Sequence, residues 1–171
     1  MKKQSPQEVS ARITSHTLPR YKDLPSFDIY ADQLIPLVNE TVGLYYLPEE
    51  KLLTASMVNN YVKQGVVPKP GKKKYSRNHI AYLIVICILK KVFSIHEIFQ
   101  LIQLQKSALD SDKAYDAFID TLEGSINEVF LGHAAPEVEN PFSAQDALIL
   151  DRAVAAFSNK VYTQTMLQAI S

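Results

Sequence analysis

Residues 57–102 read MVNNYVKQGVVPKPGKKKYSRNHIAYLIVICILKKVFSIHEIFQLI, and the fold turns on how this stretch divides. Thr54 offers an N-cap to a short helix, Ala55 to about Gln64, and Gly65 stands where a glycine commonly ends a helix. On that helix Met57, Val58, Tyr61 and Val62 share an apolar side. Ser56, Asn59, Asn60 and Lys63 take the opposite one, since residues three and four apart are neighbours on a helix. Residues 66–75 then bring two β-branched residues, a Pro-Lys-Pro-Gly corner and three lysines, which predicts a tight β-hairpin with a basic tip. Ser76 caps a long helix, Arg77 to Val92, apolar around nearly its whole circumference and therefore expected at the centre of the core. Ser94 and Glu97 have the spacing of a capping box and open a further helix bearing Ile95, Ile98, Phe99, Leu101, Ile102 and Leu104.

Toward the N-terminus, Asp28 is the expected cap of a helix from Ile29 to about Thr41, closed by Gly43 and Pro48. Residues 1–25, with Lys2, Lys3, Pro6, Pro19 and Pro25, show no sustained period and read as a polar extension. Toward the C-terminus, Tyr115, Phe118, Ile119, Leu122, Ile126 and Phe130 mark an amphipathic helix. Residues 132–141 break the periodicity and predict a loop. Leu150, Val154, Phe157 and Val161 step along a last helix, a pattern that suits either a dimer seam or burial within one chain. The chain thus divides into an extension at 1–25, a domain at 26–105 and a helical unit at 106–171.

With 171 residues, 47% of them hydrophobic, the chain can bury a core without disulfides or metal. Whole-chain disorder is excluded. Cys87, the single cysteine, lies in an apolar run and reads as a small buried hydrophobe, so a reducing, cytoplasmic setting is expected. The first residues lack the apolar stretch of a secretory signal. No uncharged apolar run approaches the roughly 20 residues that span a bilayer, so no membrane partner is expected.

The neutral total of 18 basic and 18 acidic residues hides a sorted distribution. Nine cations, Lys51, Lys63, Lys69, Lys72, Lys73, Lys74, Arg77, Lys90 and Lys91, fall between residues 51 and 91 with no Asp or Glu among them. Such a block attracts polyanions, because its field has no internal cancellation. Asp112, Asp116 and Asp120 recur every four residues and read as a solvated helix face rather than a cation site. An alternative use for them is docking on the basic segment. His16, His79, His96 and His133 form no ligand or catalytic spacing, and no nucleophile elbow or phosphate loop occurs. No enzyme activity, metal or cofactor is expected.

The order of parts in residues 57–102 resembles a MerR-type winged helix-turn-helix, in which a recognition helix and a wing precede a helix that starts after a Tyr-Ser or Tyr-Thr pair, here Tyr75 and Ser76. Together with LPSFDIYADQ, residues 24–33, the strings NNYVK and KKKY are similar to those of the Gram-positive bacterial family known as domain of unknown function eighteen thirty-six. The resemblance implies a mainly α protein with a small β-hairpin wing followed by a helical C-terminal unit, acting as a dimeric transcription regulator. MerR-type metal sensors carry several cysteines near the dimerisation helix. Cys87 alone does not meet that pattern.

Under this resemblance the helix at about 55–64 enters a major groove of double-stranded DNA, with Asn59 or Asn60 on an adenine edge and Ser56 and Lys63 on a base edge or phosphate. Lys69, Lys72, Lys73 and Lys74 of the wing at 66–75 neutralise phosphates. Tyr75 and Arg77 stand where a hydroxyl and a guanidinium reach a phosphate, with packing of the Tyr75 ring as the competing role. The rival reading is a non-catalytic module that binds an acidic protein or an RNA. The sequence specifies no small-molecule effector.

Overall fold

The computed structural model describes residues 4–107, 109–134 and 142–171. Its helices among the described residues are α1 (Pro6–Ser15), α2 (Ala31–Val42), α3 (Ala55–Lys63), α4 (Arg77–Leu89), α5 (Ile95–Lys106), α6 (Ser111–Leu131) and α7 (Ala144–Ile170). Short 3₁₀ turns lie at Tyr21–Asp23 and Gly43–Tyr45.

Helix α4 is the axis of the packing, as its composition requires. Every residue from Ile80 to Leu89 is buried except the half-buried Tyr82, and α4 packs against α2, α5, α6 and α7. A stripe 100° wide suffices for a helix on a surface, whereas a helix apolar all round needs cover on every side. Cys87 belongs to this interior, and burial pushes its thiol up to about 12. Helices α6 and α7 form the most extensive pairing, joined by the Ser125–Ser158 hydroxyl bond of 2.9 Å and by the Phe130 and Tyr162 rings. Leu150, Val154, Phe157 and Val161 are all buried within this single chain, Phe157 edge-on to Tyr45.

The helix ends follow the local chemistry. The Thr54 hydroxyl accepts from the Met57 N–H at 3.3 Å, Ser94 and Glu97 make the reciprocal capping box, and Gly65 and Gly132 end α3 and α6 at φ 73° and 70°. Ser143 caps α7, which extends well beyond its apolar steps. The loop expected at 132–141 is described only as far as 134, and Lys2 and Lys3 also lie outside the described residues. Within the expected polar extension, Pro6–Ser15 form a helix with Ser5 at its N-cap, a Ser5–Glu8 capping box and Pro6 in the first turn. Val9, Ile13 and Leu18 join the same core cluster as α4 and α7, so the segments 1–25, 26–105 and 106–171 share one interior.

Two expectations are corrected. The helix expected from Asp28 starts later, with Tyr30 at the N-cap, because Ile29 is extended and exchanges both backbone hydrogen bonds with Tyr75 at 2.9 and 2.8 Å. The β-hairpin wing is absent: no strand occurs among the described residues, only the isolated bridges Ile29–Tyr75 and Gly71–Lys74. The reason is a shortage of backbone donors. Pro68 and Pro70 have no N–H to give a ladder. The Ser76 N–H, which a longer hairpin would need, donates instead to His79 Nδ1 at 2.9 Å. The fold is all-α, with a single tight turn where the wing was expected.

Candidate nucleic-acid interface

Helix α3 buries Val58 and Tyr61 and leaves Ser56, Asn59, Asn60 and Lys63 exposed, which is the division its pattern predicts. Burial of the Tyr61 ring pushes its hydroxyl up to about 12, so that tyrosine is a core residue and stays neutral. After Gly65 the chain dips, burying Val66 and Val67, whose N–H groups both donate to the Tyr61 carbonyl. It then surfaces at Lys69.

The turn Gly71-Lys72-Lys73-Lys74 is closed by the Lys74 N–H on the Gly71 carbonyl at 3.0 Å. Lys72 and Lys73 sit at φ 51° and 61°, the only non-glycine residues at positive φ among those described. Positive φ at both central positions marks a type I′ turn, which Asn-Gly fills without strain. For an ordinary L-residue this conformation costs roughly 1–2 kcal/mol. All three lysine side chains are exposed.

His79 holds the base of this turn. With Nδ1 accepting from the Ser76 N–H, the ring proton lies on Nε2, which donates to the Pro68 carbonyl at 3.0 Å. Only the neutral ring makes both bonds. Burial lowers its pKa further than the Pro68 carbonyl raises it. On the other side, pairing of Ile29 with Tyr75 puts Tyr30 opposite Lys74, whose Nζ lies 5.3 Å from the Tyr30 ring centre.

Tyr75 and two cations of the block, Arg77 and Lys91, are engaged within the fold. Tyr75 is 6% exposed and packs edge-on to His79, so the packing role prevails. Arg77 Nε donates to the Leu24 and Pro25 carbonyls at 3.1 and 3.3 Å while its guanidinium covers Tyr21. Lys91, 7% exposed, makes an ion pair with Glu50 and lies over the Tyr46 ring. Burial lowers the Lys91 pKa, and Glu50 only partly opposes this. Burial alone would raise Glu50, but the Lys91 and Leu47 hydrogen bonds outweigh it and the carboxyl is lowered. By contrast Ser56, Asn59, Asn60, Lys63, Lys69, Lys72 and Lys73 make no side-chain hydrogen bond or ion pair among the described residues.

The acidic stripe of α6 has a partner, though not the basic turn. Asp120 and Glu123 hold Arg20 at 2.7 and 2.8 Å, Glu123 also accepts from the Leu18 N–H, and Asp116 from the Tyr21 N–H at 2.7 Å. Tyr115 adds a bond to the Pro19 carbonyl. These carboxylates raise the Arg20 pKa, Glu123 most of all. The stripe is therefore a clamp for residues 18–21, except for Asp112, which is exposed. No group of three or more metal-ligating side chains occurs among the described residues.

The large apolar groove lies elsewhere. It measures about 1050 Å³ between α5 and α7, is lined by Phe93, Phe99, Leu104, Leu148, Ile149 and Ala153, and includes none of the exposed lysines of α3 or the turn. Such a lining suits apolar contact rather than a polyanion. No helix among the described residues is long and apolar enough to cross a membrane.

What α3 and the turn offer together is amide and hydroxyl groups able to read hydrogen-bonding edges, followed after two buried valines by a cluster of free ammonium groups. Phe27 and Tyr30 are 66% and 52% exposed, and Tyr30 lies beside Lys74 of the turn; the helical period counts Tyr30 among the apolar positions of its helix and does not mark Phe27. Their signal in the sequence is an aromatic on either side of the buried Ile29. Residues 19–118 match the family model described as Domain of unknown function (DUF1836). That span begins inside the clamped arm and ends inside α6, so it includes α2 to α5 and Asp116 but neither Asp120 nor Glu123. No curated protein and no solved structure matches the chain.

Proposed function

The chain belongs to the DUF1836 family, and from that premise we propose that it is a non-catalytic nucleic-acid-binding protein acting on duplex DNA in transcriptional control. Helix α3 lies in the major groove and the lysine turn on the phosphates. Asn59 or Asn60 takes an adenine edge through its amide, which both donates and accepts, and Ser56 adds a hydroxyl contact. Lys63, Lys69, Lys72, Lys73 and Lys74 neutralise phosphates and supply affinity without sequence information. Arg77 and Tyr75 hold the platform from behind and do not contact the DNA.

One observation carries the reading: Lys72 and Lys73 occupy left-handed positions that favour Asn and Gly, and their exposed charged side chains have no partner among the described residues. A turn that served only to reverse the backbone would be more stable with Asn-Gly there. Local backbone strain of this kind collects at binding sites.

The test is a salt titration on a labelled duplex. Five lysine–phosphate contacts predict that log affinity falls against log salt with a slope of about −4.5. Replacing Lys72, Lys73 and Lys74 by Ala flattens the slope by about 2.7 while leaving the melting temperature unchanged or higher. A slope near zero overturns the proposal and favours a partner held by apolar contact.

A further inference from the structure

We infer that Phe27 and Tyr30 form a stacking platform for unpaired nucleobases, so that the preferred ligand is nucleic acid with a single-stranded segment whose phosphates cross the lysine turn. This rests on the nucleic-acid reading above and adds the class of ligand.

The platform is built on a braced backbone. Ile29 and Tyr75 exchange two hydrogen bonds, which brings the neighbouring residues Tyr30 and Lys74 side by side. Ile29 and Tyr75 turn inward and are buried, whereas Tyr30 and Lys74 are exposed. The Lys74 ammonium, 5.3 Å from the Tyr30 ring centre, steadies that ring while more than half of the residue remains open to solvent. Arg77 pins the chain just before Phe27 through the Leu24 and Pro25 carbonyls. Two aromatic side chains are thus left in water, Tyr30 against Lys74 of the cationic turn and Phe27 three residues earlier on a backbone that Arg77 pins.

Charge decides which part of a nucleic acid each group meets. Asp28 and Asp32 flank Tyr30 and are exposed, so phosphates are repelled from the aromatic edge and drawn to Lys72, Lys73 and Lys74. A base has no net charge and a π-face, and stacking on an aromatic side chain contributes about 1–3 kcal/mol per base whatever the base. In a continuous duplex those faces are already occupied by neighbouring pairs. They become available in a bubble, an overhang or a base extruded from the helix.

The experiment compares three labelled DNAs by fluorescence anisotropy at one salt concentration: an uninterrupted duplex, the same duplex with a short central mismatch bubble, and a dT oligonucleotide. Wild type is expected to bind the bubble at least fivefold more tightly than the duplex. Phe27→Ala with Tyr30→Leu removes that preference and leaves duplex affinity within twofold, whereas Tyr30→Phe alone, with the π-face intact, retains it. Lys72→Ala with Lys73→Ala weakens all three DNAs. An oligo(U) arm reports whether RNA supplies the unpaired bases, and a preference for it over dT supports the same platform. Equal binding of bubble and duplex by wild type overturns this inference alone. Equal loss on both from the aromatic variant does the same. Failure to bind any of the nucleic acids overturns the nucleic-acid reading as well.

Discussion

The clamp of the N-terminal arm on α6 and the stretch from α3 through the lysine turn are both dense in charge, and the chain treats them in opposite ways. In the clamp, Arg20 meets Asp120 and Glu123, and Asp116 and Glu123 accept backbone N–H groups, so its charges are consumed in holding residues 18–21 against α6. In the turn, Lys72 and Lys73 have no side-chain partner among the described residues and their backbone is strained. Charges that find each other inside the fold are architecture, and those held apart from every counter-charge are available to something outside. Lys91 shows that neighbourhood in sequence does not settle the matter. It belongs to the acid-free block yet ends under Tyr46 against Glu50.

The sharpest way to break that contrast is at Lys91. Glu50→Ala removes the carboxylate bonded to an ammonium whose side chain is 1% exposed, and is expected to cost about 3 kcal/mol in urea unfolding. Nucleic-acid affinity, measured under conditions where the protein remains folded, should not change. Loss of affinity with unchanged stability would move Lys91 from the interior to the binding face.

Arg20→Met tests the clamp itself. Its partners are partly solvated, so the expected loss is about 1–2 kcal/mol, again with binding intact. The converse variant, Lys72→Asn with Lys73→Gly, should raise stability by up to about 1 kcal/mol by relieving both left-handed lysines. The same change should flatten the salt slope by about 1.8 units. A drop in stability would show that the lysines serve the fold and would erase the distinction.

His79 is expected to give the smallest effect and to locate the turn on the stable side of the molecule. Burial lowers its pKa in the native state, so the unfolded chain binds the proton more readily. Stability therefore rises with pH through this group. On acidification its contribution begins to fall near the ordinary histidine pKa of about 6.5 and stops falling below the native pKa. His79→Gln should blunt the change in melting temperature between about pH 7 and pH 5. An unchanged pH profile would show that His79 does not couple the turn to α4.

The helices were legible where the signal is local. Thr54 and Gly65 bound α3, Ser94 and Glu97 open α5, and an apolar run without a wet side could only be the centre. Helix α1 was not read, because residues 1–25 lack apolar periodicity and pass for a polar extension; its local signal lies in Ser5, Pro6 and Glu8. The hairpin failed because a count of β-branched and turn residues does not register that Pro68 and Pro70 cannot donate and that Ser76 spends its N–H on a cap. Most of the candidate interface, from Ser56 to Lys74, could be read directly, because exposure of a polar helix face follows from its period. Tyr75, Arg77 and Lys91 could not, since each is decided by a residue outside the block: Ile29, Leu24 and Glu50. Nor could the partner of Asp120, which lies a hundred positions away at Arg20.

Helix α4 imposes an order on the birth of the protein. It leaves the ribosome before α6 and α7, two of the helices that must cover it. Until those arrive, a nearly unbroken greasy surface has nowhere to hide, and the nascent chain must be shielded by the ribosome or by chaperones. A shortened product stopping after α5 would aggregate rather than persist as a smaller folded domain, so any cut that releases the lysine turn from the C-terminal helices destroys the platform that displays it.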